Sequence, residues 1–129
     1  MRLSEAIRLG AMLKPQGRGA IIGARGRTCA LGAALDAIGA LTDEWDQARL
    51  PKMWSWACEQ DKYRCPACAR PRRMNSTFNI ITHLNDRHRW TREAIADWVA
   101  TIEPKAAIEP TPIGELEETC PPRVHLSVA

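Results

Sequence analysis

The sequence predicts a mostly helical α+β chain: a small N-terminal helical zone with a short hairpin, then a module stapled by cysteine and histidine, then a further helix. Three observations predict it. Apolar residues recur at helical spacing in residues 3–13, 29–38 and 92–102, four glycines fall within residues 17–26, and two cysteines precede two histidines at short intervals. The 129 residues divide on these features into an N-terminal zone, residues 1–58, a stapled module with its following helix, residues 59–103, and a tail, residues 104–129.

In the first zone, Leu3, Ala6, Ile7, Gly10, Ala11 and Leu13 form a helical stripe, with Ser4 as the expected N-cap and Pro15 as the stop. Gly17, Gly19, Gly23 and Gly26 surround Ala20-Ile21-Ile22, which reads as a small hairpin or irregular loop. Thr28 offers the N-cap of a second helix over residues 29–38, with Leu31, Ala34, Leu35 and Ile38 on one face and Gly39 at its end. The small residues Cys29, Ala30, Gly32, Ala33 and Ala37 let another element approach closely, so the two helices are expected to pack together. A glycine-rich loop before a helix start invites a phosphate-cradle reading. The Gly-Lys-Ser/Thr ending and the spaced dinucleotide fingerprint are both missing, so the glycines are read as turn makers.

Further on, Thr42 could cap a turn through Trp45, and Pro51 could open a short helix bearing Met53, Trp54 and Trp56. Residues two apart diverge by about 200° on a helix, so Trp54 and Trp56 cannot share a face. They are candidate contacts for a partner, or a cover for the seam between zones.

The most informative pattern is Cys65-x2-Cys68-x14-His83-x4-His88. Two thiolates on a tight knuckle and two imidazoles on a helix can converge on one tetrahedral zinc, and both pairs keep the spacings such sites use. The helix has its own support: Ser76 or Thr77 can cap it, and Phe78, Ile80, Ile81 and Leu84 supply apolar positions. Five cysteines without a secretory context speak against a disulfide framework and for metal. Cys58 is the spare cysteine near enough to compete as a ligand, while Cys120 and His125 stand too far off to suggest a second site.

The segment 65–88 resembles the Cys2His2 zinc-finger family, in which a hairpin packs on a helix; the resemblance implies a ββα-like finger. The central gap of 14 residues departs from the family's spacing of about 12. Arg72 stands where the family commonly places an aromatic core residue, whereas Ile80 matches the aliphatic position before the first histidine. The resemblance puts the base-reading positions on Ser76, Asn79 and Thr82. None is Arg or Lys, so the bidentate guanine contact is absent from them. Thr91 as N-cap, Glu93 in the first turn and Trp90 against Ile95 then start a helix over residues 92–102, with Ile95, Trp98, Val99 and Ile102 apolar and Glu103-Pro104 at its end.

Charge is mild and centred: residues 1–60 carry +2, residues 61–103 carry +3 and residues 104–129 carry −2. Arg70, Arg72, Arg73, Arg87, Arg89 and Arg92 bracket the Cys/His cluster and can neutralise phosphates without reading bases. The tail holds five prolines and the acidic patch Glu115, Glu117 and Glu118, and is expected to be extended. The longest run free of Asp, Glu, Lys and Arg is 12 residues, whereas a membrane-spanning helix needs roughly 20 apolar ones. Glu5 and Arg8 interrupt the apolar run a secretory signal needs. A cytosolic protein with no membrane partner is expected.

The chain also resembles small proteins of bacteriophages and prophages, through Leu3-Ser4-Glu5-Ala6-Ile7-Arg8-Leu9-Gly10, Thr28-Cys29-Ala30-Leu31-Gly32-Ala33-Ala34-Leu35 and His83-Leu84-Asn85-Asp86-Arg87-His88-Arg89-Trp90. That resemblance implies a bacterial cytoplasm and a binding role. The favoured expectation is a zinc-stapled binding protein for nucleic acid or a nucleoprotein. The rival is a host or phage protein as partner, with the chain serving as inhibitor, adaptor or virion component. An enzyme is the least favoured class, because four ligands close the metal shell and no histidine precedes His83 to act as the base of a metal-dependent nuclease. No small-molecule substrate is inferred.

Overall fold

The first helix is capped two residues earlier than its local capping signal. In the computed structural model, which describes residues 1–19, 22–23, 26–40, 49–60, 62–68 and 76–104, α1 spans Leu3–Ala11 and its N-cap is Arg2. Arg2 N donates to Glu5 Oε1 at 3.0 Å. Ser4, the expected cap, lies inside the first turn and is buried. Its amide donates to Glu103 Oε1 at 3.1 Å and its hydroxyl to Glu103 Oε2. A carboxylate 99 residues further along the chain therefore occupies the positive end of α1, where unpaired amides and the helix dipole favour an anion.

A two-residue antiparallel pairing follows, β1 (Ile22–Gly23) with β2 (Arg27–Thr28), in the register Ile22↔Thr28 and Gly23↔Arg27. The helix α2 (Ala30–Ala37) starts from Cys29 rather than Thr28: the Cys29 thiol accepts from Gly32 N at 3.4 Å. Thr28 is unavailable as a cap because its N–H donates to Pro15 O, its carbonyl accepts from Gly17 N and its hydroxyl accepts from Arg92. Burial pushes the Cys29 thiol above its ordinary pKa, which keeps it a protonated packing group at neutral pH.

After residues 41–48, which lie outside the described set together with the Thr42 and Trp45 turn, comes α3 (Arg49–Met53) and then a 3-10 turn over Ser55–Cys58. Trp54 sits between them, 3% exposed, and its Nε1 donates to Met1 O at 3.0 Å. This corrects the reading of Trp54 as a partner contact, since its indole is consumed by the core. Trp56 is half-buried against the same core.

Two longer helices complete the body, α4 (Thr77–Asp86) and α5 (Arg92–Ile102). Both keep the caps read from sequence: Ser76 Oγ accepts from Asn79 N at 3.3 Å and Thr91 Oγ1 from Ala94 N at 3.0 Å. Helix α1 packs against α2 and α5, and α4 reaches α2, α5 and the 3-10 turn. One apolar cluster joins Leu3 and Ile7 of α1, Leu31 and Leu35 of α2, Trp54, Phe78, Ile81 and Leu84 of α4, and Ile95 and Val99 of α5. The fold is mostly helical. The ββα finger is not formed among the described residues: Pro66 and Ala67 make a turn, and Tyr63 Oη donates to Ile102 O at 3.3 Å, tying the segment before the knuckle to the end of α5. Pro66 also lacks the amide that a hairpin ladder would use. Residues 69–75 and 105–129 lie outside the described set, and with them the expected extended tail.

The crossing of α1 and α2 rests on Gly10. A Cβ there would stand 1.8 Å from Ala33 O and 2.3 Å from Ala33 C, so the two backbones touch directly. Alanine normally stabilises a helix over glycine by about 1 kcal/mol. Here Gly10→Ala is expected to destabilise the protein by about 2 kcal/mol net, because the colliding atoms are backbone and the helices must separate. Urea unfolding measures it; an unchanged or raised midpoint would refute the direct contact.

Candidate metal centre

The four residues of the Cys/His pattern come from two short pieces of chain. The knuckle supplies Cys65, 8% exposed, and the half-buried Cys68, across the Pro66-Ala67 turn. Burial pushes the Cys65 thiol up, while the amides of Ala67 and Cys68 hydrogen-bond its sulfur and act in the opposite sense. A ligand that opposes the proton therefore finds donors already turned toward the sulfur.

Helix α4 supplies the imidazoles. Phe78, Ile80, Ile81 and Leu84 face the core, which leaves His83 half-buried at the edge of that face. In a regular α-helix the fifth residue along lies about 140° round the axis, too far for two side chains to meet. The last turn solves this by widening. Arg87 N donates to His83 O at 2.9 Å, His88 N reaches the same carbonyl at 3.3 Å, and Trp90 N bonds Leu84 O at 3.0 Å. Arg89 takes the left-handed conformation, φ +57°, that non-glycine residues adopt at a cost of about 1–2 kcal/mol. The widened turn returns His88 to the side of His83.

All four ligand atoms lie within 4.8 Å of one another. Cys68 Sγ stands 3.3 Å from His83 Nε2 and 3.5 Å from His88 Nε2. The rings meet edge to face, centroids 4.7 Å apart at 88°. Two sulfurs and two ring nitrogens so disposed can hold a metal ion. Cys58 is buried and is not in the group.

The six arginines read as a basic rim separate in the structure. Arg87 and Arg89 are exposed on either side of His88. Arg70, Arg72 and Arg73 lie outside the described residues. Arg92 is 5% exposed: its Nη1 donates to Thr28 Oγ1 at 2.9 Å and its Nη2 to Ala11 O at 3.3 Å. It ties α5 to the chain segments beside α1 and α2, so its place in an interface is corrected to one in the core. Of the positions taken over from the finger resemblance, Thr82 is exposed and Asn79 half-buried, but Ser76 is buried as the helix cap.

Sequence reasoning missed Asn85. It is fully buried, and its side chain makes four hydrogen bonds: Nδ2 donates to Gly17 O at 2.9 Å and to Asp86 Oδ1 at 2.8 Å, while Oδ1 accepts from Gln16 Nε2 at 2.9 Å and Ala30 N at 3.1 Å. Gln16 Nε2 also reaches Trp90 O at 2.8 Å, and Gly19 N donates to Asp86 Oδ1 at 2.9 Å. The glycine-rich loop is thereby fastened to the turn that presents His88. The available signal was register, since Asn85 stands four residues after Ile81 and seven after Phe78, on the buried side of α4.

No family model, no curated protein and no solved structure matches the chain. The likeness to bacteriophage proteins thus rests on the three quoted segments alone. Among the described residues, no helix is long and apolar enough to cross a membrane.

Proposed function

We propose that the chain is a zinc-stapled binding protein of bacteriophage type, working in a bacterial cytoplasm, whose exposed arginines meet nucleic acid or a nucleoprotein. The observation that carries it is the convergence of Cys65, Cys68, His83 and His88. A tetrahedral ion with bonds of about 2.3 Å to sulfur and 2.0–2.1 Å to nitrogen has sulfur–nitrogen edges of about 3.5 Å. The separations of 3.3 and 3.5 Å from Cys68 Sγ to the two Nε2 atoms fit that edge. When bound, zinc would supply a closed structural staple. Four protein ligands leave no open position for substrate, which supports binding over catalysis. Arg87 and Arg89, exposed beside His88, place positive charge on the rim.

A protein partner is the second reading. It is favoured by Leu9, Met12 and Leu13, exposed by 43%, 81% and 54% at the end of α1. One experiment separates the readings. The purified protein is expected to carry about one equivalent of zinc and to bind a mixed-sequence DNA or RNA duplex with an affinity that falls steeply as salt rises. Zinc well below about half an equivalent would end the staple reading; full zinc with no binding at low salt would leave the protein partner.

A further inference from the structure

We propose that the two ends of the glycine-rich segment, at Arg18 and Arg27, and the end of α4 form one binding face for the phosphodiester backbone of a nucleic-acid duplex, with Arg18 and Arg27 joining Arg87 and Arg89 as its cations. The inference rests on the nucleic-acid reading above and names the surface that reading would use. Arg18 and Arg27 are remote in sequence from the metal cluster, and nothing in the finger pattern points to them.

Hydrogen bonds bring them there. Arg18 Nε donates to Asn85 O at 3.2 Å, which lays its guanidinium against the last turn of α4, two residues from Arg87. Arg27 Nη1 donates to Gln16 O at 3.1 Å, and the Gln16 side chain bridges Asn85 and Trp90 on either side of His88. All four arginines are exposed. Asp86, which precedes Arg87 in the chain, has its Oδ1 engaged by Gly19 N and Asn85 Nδ2, and Glu93 lies on the first turn of α5. Two guanidinium groups are thus fastened to backbone carbonyls at Asn85 and Gln16, on the same hydrogen-bonded frame that leads through Asn85 to Arg87 and Arg89.

The partner's chemistry follows from what this face contains. Each guanidinium can engage phosphate oxygens with several parallel donors. Single strands are gripped by exposed aromatic rings on which bases stack. Among the described residues no aromatic side chain is exposed; Trp56, Tyr63, Trp90 and Trp98 are all half-buried. Cations without a stacking platform suit a duplex backbone, read without regard to base sequence.

The test uses the full chain with its metal and 20-base-pair duplexes of DNA and of RNA, the two arms showing which duplex supplies the phosphates. Four phosphate contacts give a slope of log affinity against log salt of about −3.6. Arg18→Ala with Arg27→Ala is expected to reduce that slope by about 1.8, so a fourfold rise in salt costs the variant about 12-fold less affinity than it costs the parent. Arg18→Lys with Arg27→Lys is expected to keep the slope, and Arg8→Ala, whose charge is paired with Asp97, to leave it unchanged. An arginine-directed dicarbonyl reagent, read by mass spectrometry on the unmodified sequence, gives a check that needs no variant: the duplex should shield Arg18 and Arg27 and spare Arg8. An unaltered slope in the folded double alanine variant, or no shielding, overturns this inference while leaving the nucleic-acid reading intact. Tighter binding to a single strand overturns the duplex assignment, and no binding to any probe overturns both readings.

Discussion

Cys65→Ser is expected to abolish stoichiometric zinc binding and to lower the thermal midpoint to that of the chelator-treated parent, after which chelator has no further effect on the variant. The reasoning is linkage: a ligand that binds only the folded form stabilises it by about 4 kcal/mol when its free concentration is a thousand times the dissociation constant. The knuckle has little apolar surface of its own, with Pro66 exposed and Ala67 and Cys68 half-buried. Its position against α4 rests on the packing of Cys65, Ala67 and Tyr63 on the core and on the Tyr63–Ile102 hydrogen bond, and the shared ion is expected to add to both. Helices α1, α2 and α5 have a core apart from the metal, so a partly folded body is expected to survive chelation. The pH dependence has a fixed sign. Burial holds the Cys65 proton more tightly than usual, so the ion must displace that proton, and apparent affinity is expected to rise with pH and fall in acid. Circular dichroism melts with and without chelator, beside metal analysis, decide the matter; a parent midpoint indifferent to chelator would contradict a structural role for the metal.

Asn85→Ala is the second large effect expected. Truncation strands Gly17 O and Ala30 N beside a side chain of zero exposure, and leaves the half-buried Gln16 amide with its bond to Trp90 O alone. Each buried polar group left unpaired costs about 1–3 kcal/mol, so a total loss near 4 kcal/mol is expected, most of the stability of many small domains. Asn85→Asp is expected to do no better, because its second oxygen would replace the donor that faces Gly17 O and Asp86 Oδ1. Chemical unfolding gives the magnitude, and hydrogen exchange at the Ala30 amide gives the location. A normal midpoint with a protected Ala30 amide would show that the loop is anchored elsewhere.

How far the sequence discloses this protein depends on how far apart the interacting partners lie. Ser76 and Thr91 are legible as caps because the amides they accept from are three residues on. The cysteine and histidine pairs are legible because metal chemistry limits the spacing within each pair, whatever lies between. The cap assignments at Ser4 and Thr28 fail for the opposite reason. Ser4 is taken by Glu103 across 99 positions and Thr28 by Arg92 across 64. Trp54 and Arg92 look like surface groups in a local window, and each is drawn inward by a distant backbone carbonyl, Met1 O or Ala11 O. The widened turn at His88 is half legible: the five-residue step demands a distortion, but its form, with Arg89 left-handed, follows from the fit of α4 against its neighbours.

Glu103 reaching Ser4 has a topological consequence. Among the described residues the chain leaves α1, passes through α2, α3, α4 and α5 and returns at the exit of α5 to the start of α1, so positions 4 and 103 are neighbours in space. Such a path is a ring with a gap, and a gap that small can be closed by a short linker while the sequence is opened at another exposed loop. The order in which the helices are translated is thus separable from the arrangement they reach.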